Sequence, residues 1–185
     1  MGKANKTILI VEDQVIIAMS EKKALEKCGY NMITTNTGET AIEMIKGGLT
    51  IDLILMDIDL GKGIDGTETA GIILKSYDIP IVFLSSHMET SIVEKTKKIT
   101  SYGYVVKNSG ITILDASIKM AFKLFEANEK TLVASEIRYR RLFETAKDGI
   151  LILDAETGKI EDVNPFLREL MGFSKEELIE KTIWE

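Results

Sequence analysis

Five short apolar runs, at residues 7–11, 31–35, 51–57, 79–86 and 103–107, most constrain what this chain can fold into. Amphipathic segments at 14–29, 37–48, 66–77 and, more weakly, 88–100 lie between them. Strands joined by helices cannot be hairpins. They need crossover connections, which produce a parallel sheet with helices on both faces. Strands buried on both faces read as continuous apolar runs rather than alternating ones, and "TILIV" and "IDLILM" do. Gly29 and the pair Gly47-Gly48 supply helix stops, and Pro80 is tolerable at the start of its strand. The predicted class is therefore a doubly wound α/β fold. In the first helix Ile17, Leu25 and Cys28 recur on one face, so Cys28 is expected as a small buried hydrophobe.

Open parallel sheets bind ligands outside the carboxyl ends of their strands. In this chain those ends are chemically loaded. The first strand leads into Glu12 and Asp13, the third ends in Asp57, the fourth in Ser85 and Ser86, and the fifth in Lys107. Three neighbouring carboxylates raise one another's pKa unless a cation joins them. Hard oxygen ligands with few protein contacts suit Mg2+, which keeps several waters and accepts phosphate oxygens. Lys107 offers a compact positive charge, and Ser85 a hydrogen bond to an arriving anion.

The ordered set "ILIVED", "DLILMDIDL", "IDG", "IVFLSS" and "GYVVK" resembles the receiver domain of two-component response regulators, over roughly residues 5–125. The resemblance implies a flavodoxin-like sheet in the order 2-1-3-4-5. It implies Asp57 as phospho-acceptor, Glu12, Asp13 and Asp57 as Mg2+ ligands with the Asp59 backbone carbonyl as a further one, and Lys107 as phosphoryl partner. Ser85 would be the switch hydroxyl and Tyr104 the aromatic that changes rotamer. A sensor histidine kinase or phosphotransfer protein would be the donor, and the receiver would catalyse its own phosphorylation and dephosphorylation. His87 and Asp59 are candidates for tuning the dephosphorylating water. Two departures stand out. Asn108 follows Lys107 where the family usually has proline, and a cis bond before a non-proline residue costs ~2.5–4 kcal/mol. Ser85 replaces the commoner threonine.

No glycine or proline interrupts residues 111–146. Leu114, Ile118, Ala121, Phe125, Asn128, Leu132, Ser135, Tyr139 and Leu142 advance in steps of four and three, a heptad seam with Asn128 as a polar register device. A helix of that extent reaches roughly 50 Å. The seam predicts a parallel homodimer through residues 114–142, while Arg138, Arg140 and Arg141 read as a solvated face. Residues 139–185 resemble the first half of a PAS domain. Two strands are expected around Glu156-Thr157-Gly158, then a helix begun near Pro165 and another capped by Ser174 with Glu177 three residues on. The expected division is a receiver at 1–125, a helical linker at 126–146 and a partial α+β PAS segment at 147–185. Half a PAS domain has an incomplete core, so the 185 residues are expected to belong to a longer sensor or regulator.

The net charge of −6 argues against a nucleic-acid surface, and no apolar run approaches the ~18 residues of a membrane span. The single cysteine excludes a disulfide framework and points to the cytoplasm. Two other readings compete with the signalling one. "DID" at 57–59 resembles the Asp-x-Asp of haloacid-dehalogenase-type phosphatases, with Asp57 as nucleophile and Asp59 as general acid, although that family carries the motif on its first strand. A degenerate receiver used only for docking is the other, and the full acid set with Lys107 weighs against it.

Overall fold

A computed structural model describes residues 5–86, 102–107, 109–179 and 181–182. His87, the helix predicted at 88–100 and the Lys107–Asn108 bond lie outside the described residues. The chain divides into two units, residues 1–127 and 128–185.

In the first unit, β1 (Thr7–Val11), β2 (Asn31–Thr35), β3 (Leu53–Asp57), β4 (Ile81–Ser85) and β5 (Gly103–Val106) form a parallel sheet in the order β2-β1-β3-β4-β5. The expected topology is present. Successive side chains of a strand point to opposite faces, and the apolar runs fill both. Leu9, Val11, Ile54, Met56, Ile81 and Phe83 meet α2 (Gly38–Lys46) and α3 (Gly66–Leu74) through Ala41, Ile42, Ile45, Ala70 and Ile73. Ile8, Ile10, Leu53, Leu55, Val82 and Leu84 meet α1 (Val15–Lys27) and the first turns of α4 (Ile111–Thr145). Thr37 and Asp65 cap α2 and α3 by accepting from Thr40 N and Glu68 N, each worth ~1 kcal/mol.

Two expectations need correction. Cys28 is exposed, because α1 stops at Lys27 and Cys28 is its C-cap rather than part of the buried stripe of Ala18 and Leu25. The seam of α4 is also not one surface. Leu114, Ile118 and Ala121 are buried in the sheet's second core face, and Phe125 sets its ring edge against Tyr102 with centroids 5.4 Å apart. Those residues are spent inside the core of the first unit, so a dimer cannot use the seam from 114. Beyond Ala127, Leu132 and Leu142 are 73% and 67% exposed.

The second unit pairs β6 (Leu151–Leu153) antiparallel with β7 (Ile160–Val163), followed by α5 (Pro165–Met171) and α6 (Lys175–Leu178). Asp154 holds the intervening turn by accepting from the N–H groups of Glu156 and Thr157. Ser174 and Glu177 form the predicted capping box. Asn164 was not anticipated. It is fully buried, accepts from Leu167 N and Ile150 N, and donates to the Asp148 carbonyl, so one side chain both caps α5 and fixes the entry to β6.

Candidate functional site

The carboxyl edge of the sheet gathers the residues singled out from sequence. Asp57 is the last residue of β3 and 2% exposed. Glu12 follows β1, is 1% exposed, and its N–H donates to the Thr35 carbonyl, which holds it against β2. Lys107 follows β5, and its N–H donates to the Ser85 carbonyl at 2.7 Å. The two strands around Ser85 and Lys107 thus end in register. Lys107 Nζ lies 2.7 Å from Asp57 Oδ2 and 2.6 Å from Glu12 Oε2. One ammonium therefore bridges two buried carboxylates. Ligand oxygens of Glu12, Asp13 and Asp57 all come within 4.8 Å of one another. Asp13 Oδ1 is closed off from solvent and accepts no hydrogen bond among the described residues.

Electrostatics follow from burial. Desolvation raises the Asp57 pKa above the ordinary aspartate value, against the lowering effect of the Lys107 hydrogen bond. Glu12 is raised for the same reason, with Lys107 opposing and the Asp57 charge adding. Desolvation would lower Lys107, but its bonds to Asp57 and Glu12 outweigh that and hold the ammonium's pKa above its usual range.

The loop after Asp57 is built to come back to it. Asp59 N donates to Asp57 Oδ1 at 3.3 Å, while Ile58 and Leu60 are buried and anchor the turn. Gly66 N donates to the Ile58 carbonyl, and a Cβ on Gly66 would overlap the Asp57 carbonyl oxygen. Gly61, at φ +68°, passes so close to Asp13 that a Cβ would sit 2.8 Å from Oδ2. Ser85 is fully buried at the end of β4, and Tyr104 is half-buried opposite Phe83 against the first core face. The Asp59 residue is exposed and offers Asp57 its N–H. Sequence reading missed Lys107's double pairing, Gly66's close approach, and Glu21. Glu21 lies on α1 with a carboxyl oxygen that is buried and accepts no hydrogen bond among the described residues.

A family model described as the response regulator receiver domain matches residues 8–119. The chain belongs to the response-regulator receiver family. A PAS domain model matches residues 137–185. This receiver is 28% identical to the transcriptional regulatory protein PdtaR of Mycobacterium tuberculosis, over 79% of the chain and 73% of PdtaR. Among solved structures, it is similar to the N-terminal domain of a response regulator/sensory box/GGDEF three-domain protein from Carboxydothermus hydrogenoformans. There the identity is 46% and the TM-score 0.63, covering 66% of this chain and 98% of that one. It is also similar to the response regulator TrrA of Thermotoga maritima, solved with Mg2+ and BeF, at 30% identity and TM-score 0.57 over 63% of this chain and 98% of that one.

The receiver works in two-component signal transduction, and its PAS segment is a signal-sensing module. Receiver domains in general accept phosphoryl groups from histidine kinases or phosphotransfer proteins. Among the described residues, no helix is long and apolar enough to cross a membrane.

Proposed function

We propose that Asp57 accepts a phosphoryl group from a histidine kinase or phosphotransfer protein, and that the acyl phosphate resets the receiver. The observation that carries this reading is a buried carboxylate at a strand end, paired to an ammonium at 2.7 Å and clustered with two further acids. The orphaned Asp13 Oδ1 and the hard oxygen donors fit a divalent cation. Glu12, Asp13, Asp57 and the Asp59 backbone carbonyl would hold Mg2+, which when bound supplies charge neutralisation at the transferring group.

The chain's own residues do the rest. An Asp57 carboxylate oxygen attacks phosphorus, the bond from phosphorus to the donor atom breaks, and the electron pair leaves with the donor. Lys107 keeps Asp57 ionised beforehand, and its ammonium then follows the new phosphoryl oxygens and gives up Glu12. Ser85 donates its hydroxyl to the same oxygens. Because the Ser85 carbonyl holds Lys107 N, movement at either residue is felt at the other. Tyr104, packed against the first core face beside Phe83, adjusts its rotamer in response. His87 and Asp59 tune the attack of water that ends the signal.

The change then passes through α4 toward the PAS segment, in a chain divided as receiver (1–125), helical linker (126–146) and PAS segment (147–185). The exposed stripe of Leu132, Tyr139 and Leu142 supports a homodimer through that linker. The free, exposed Cys28 suits a reducing cytoplasm. The phosphatase alternative carries its Asp-x-Asp motif on the first strand, whereas Asp57 ends β3, the third strand in chain order.

Intact-mass measurement after incubation with acetyl phosphate and Mg2+ tests the assignment. One phosphoryl group should add to the wild type, and none to Asp57→Asn or to wild type in chelator. Labelling that persists in Asp57→Asn would overturn it.

A further inference from the structure

The loop that leaves Asp57 turns through two left-handed glycines, Gly61 at φ +68° and Gly63 at φ +92°, with Lys62 between them. Glycine adopts such angles without strain, but the same freedom gives a loop no preferred conformation of its own. What fixes this one comes from other elements. On one side Gly61 lies against Asp13, close enough that a Cβ would stand 2.8 Å from Oδ2. On the other side Glu39 of α2 accepts from the Ile64 N–H through Oε1 at 3.1 Å. The same carboxylate lies beside Gly63, where a Cβ would stand 2.5 Å from Oε1. The Ile64 side chain rests on the first core face, and Glu39 adds a directional bond to its backbone.

Glu39 stands on a fixed base. Thr37 caps α2 by accepting from Thr40 N, and Gly38 packs so closely on α3 that a Cβ would overlap Thr69 Oγ1. The same turn begins at Thr35, whose carbonyl holds the Glu12 N–H. Glu39 itself is exposed, so burial does not account for where its carboxylate sits. We propose that Glu39 is a positioning residue for the cation site. Its bond to Ile64 holds the loop closed on Asp13, with Asp59 N on Asp57, so that the oxygens proposed to hold Mg2+ are arranged before the ion arrives. The inference rests on Mg2+ binding beside Asp57, not on phosphoryl transfer there. A loop already in place costs the ion less to organise. By linkage, losing the Glu39 bond weakens the ion by the factor by which the ion strengthens the bond. Glu39 acts through an oxygen that accepts, not through its charge, so a glutamine serves as well.

Amide NMR of the whole chain, titrated with Mg2+ alone at constant ionic strength, follows Asp59 and Gly61. Glu39→Ala should raise the midpoint about five-fold or more. Glu39→Gln keeps an oxygen for the Ile64 N–H and should stay within about two-fold of the wild type. Glu43→Ala removes an exposed charge one turn along α2 and should leave the midpoint unchanged. In the unaltered chain, saturating Mg2+ should slow deuterium exchange at the Ile64 amide by the factor that Glu39→Ala costs. An unchanged midpoint in Glu39→Ala overturns the proposal. So does a Glu39→Gln as weak as Glu39→Ala, which would make charge the cause. Exchange at Ile64 that ignores Mg2+ overturns it on the unaltered chain, whether or not a variant folds. A wild type without saturable shifts removes the cation site and this role of Glu39 together. A chain that meets the Mg2+ expectations but takes no label from acetyl phosphate supports the role of Glu39 and removes phosphoryl acceptance alone.

Discussion

Lys107 carries one positive charge between two carboxylates that are both almost wholly out of water. Removing it leaves two buried anions facing each other, and breaking a buried pair in this way costs about 3–5 kcal/mol. Lys107→Ala should lose that much stability at about pH 7 in metal-free buffer. The pH dependence has a definite sign. Desolvation already places Glu12 and Asp57 above their ordinary values, and the Lys107 bonds only moderate the rise. A carboxyl raised in the folded state favours the fold while protonated, and that contribution disappears as pH rises through the folded pKa. Deleting the ammonium raises both groups further. The variant should therefore recover part of its deficit as pH falls toward about 5. Urea unfolding across that range measures it, and a deficit that does not change with pH would rule out carboxylate repulsion as the cause.

At the scale of elements, the segment from β3 to α3 holds Asp57 in place. Asp65 caps α3, and Gly66 brings the helix start against the strand end through its bond to the Ile58 carbonyl. No side chain fits there, because a Cβ on Gly66 would overlap the Asp57 carbonyl. Gly66→Ala should cost about 1–3 kcal/mol through forced displacement of the helix start. It should also slow acetyl-phosphate labelling, since the displaced backbone is that of Asp57. Gly71 in the same helix supplies the control. A Cβ there meets nothing within 4 Å, so Gly71→Ala should be neutral or gain up to about 1 kcal/mol from helix propensity. Thermal melts of the two variants, side by side, separate close approach from a general effect of adding alanine to α3. Equal Tm shifts would show that the contact at Asp57 is unimportant.

At the scale of the whole molecule, α4 serves two purposes along its length. Its first turns complete the receiver core through Leu114, Ile118 and Ala121, and the later ones leave Leu132, Tyr139 and Leu142 exposed. Leu132→Glu and Leu142→Glu should dissociate a dimer of the full chain. They should leave receiver stability within about 0.5 kcal/mol, the range for surface substitutions. Ile118→Glu should instead unfold the receiver, because it buries an unpaired charge. Sedimentation at roughly tens of micromolar reads the first outcome, the dimer being concentration-dependent. A wild type that sediments as a monomer under those conditions would end the dimer proposal.

The chain's own order of residues determined what depends on neighbours close in sequence. Continuous apolar runs announced strands buried on both faces, and the acids at their ends followed from the rule that parallel sheets bind at that edge. The Asp154–Gly158 turn and the Ser174–Glu177 box are local hydrogen-bond patterns, readable at spacings of three or four residues. Tertiary structure decided what depends on partners far along the chain. Lys107 lies 95 residues from Glu12 and 50 from Asp57 in numbering, and only the closed sheet puts one ammonium between them. The heptad pattern established that Ile118 and Leu132 share a stripe, but periodicity is blind to what covers a stripe. The sheet covers Ile118 and leaves Leu132 open. Cys28 and Glu21 belong to the same class. Where α1 stops exposes the one, and the fold closes the other's Oε2 off from solvent, because burial is a property of the surfaces that meet.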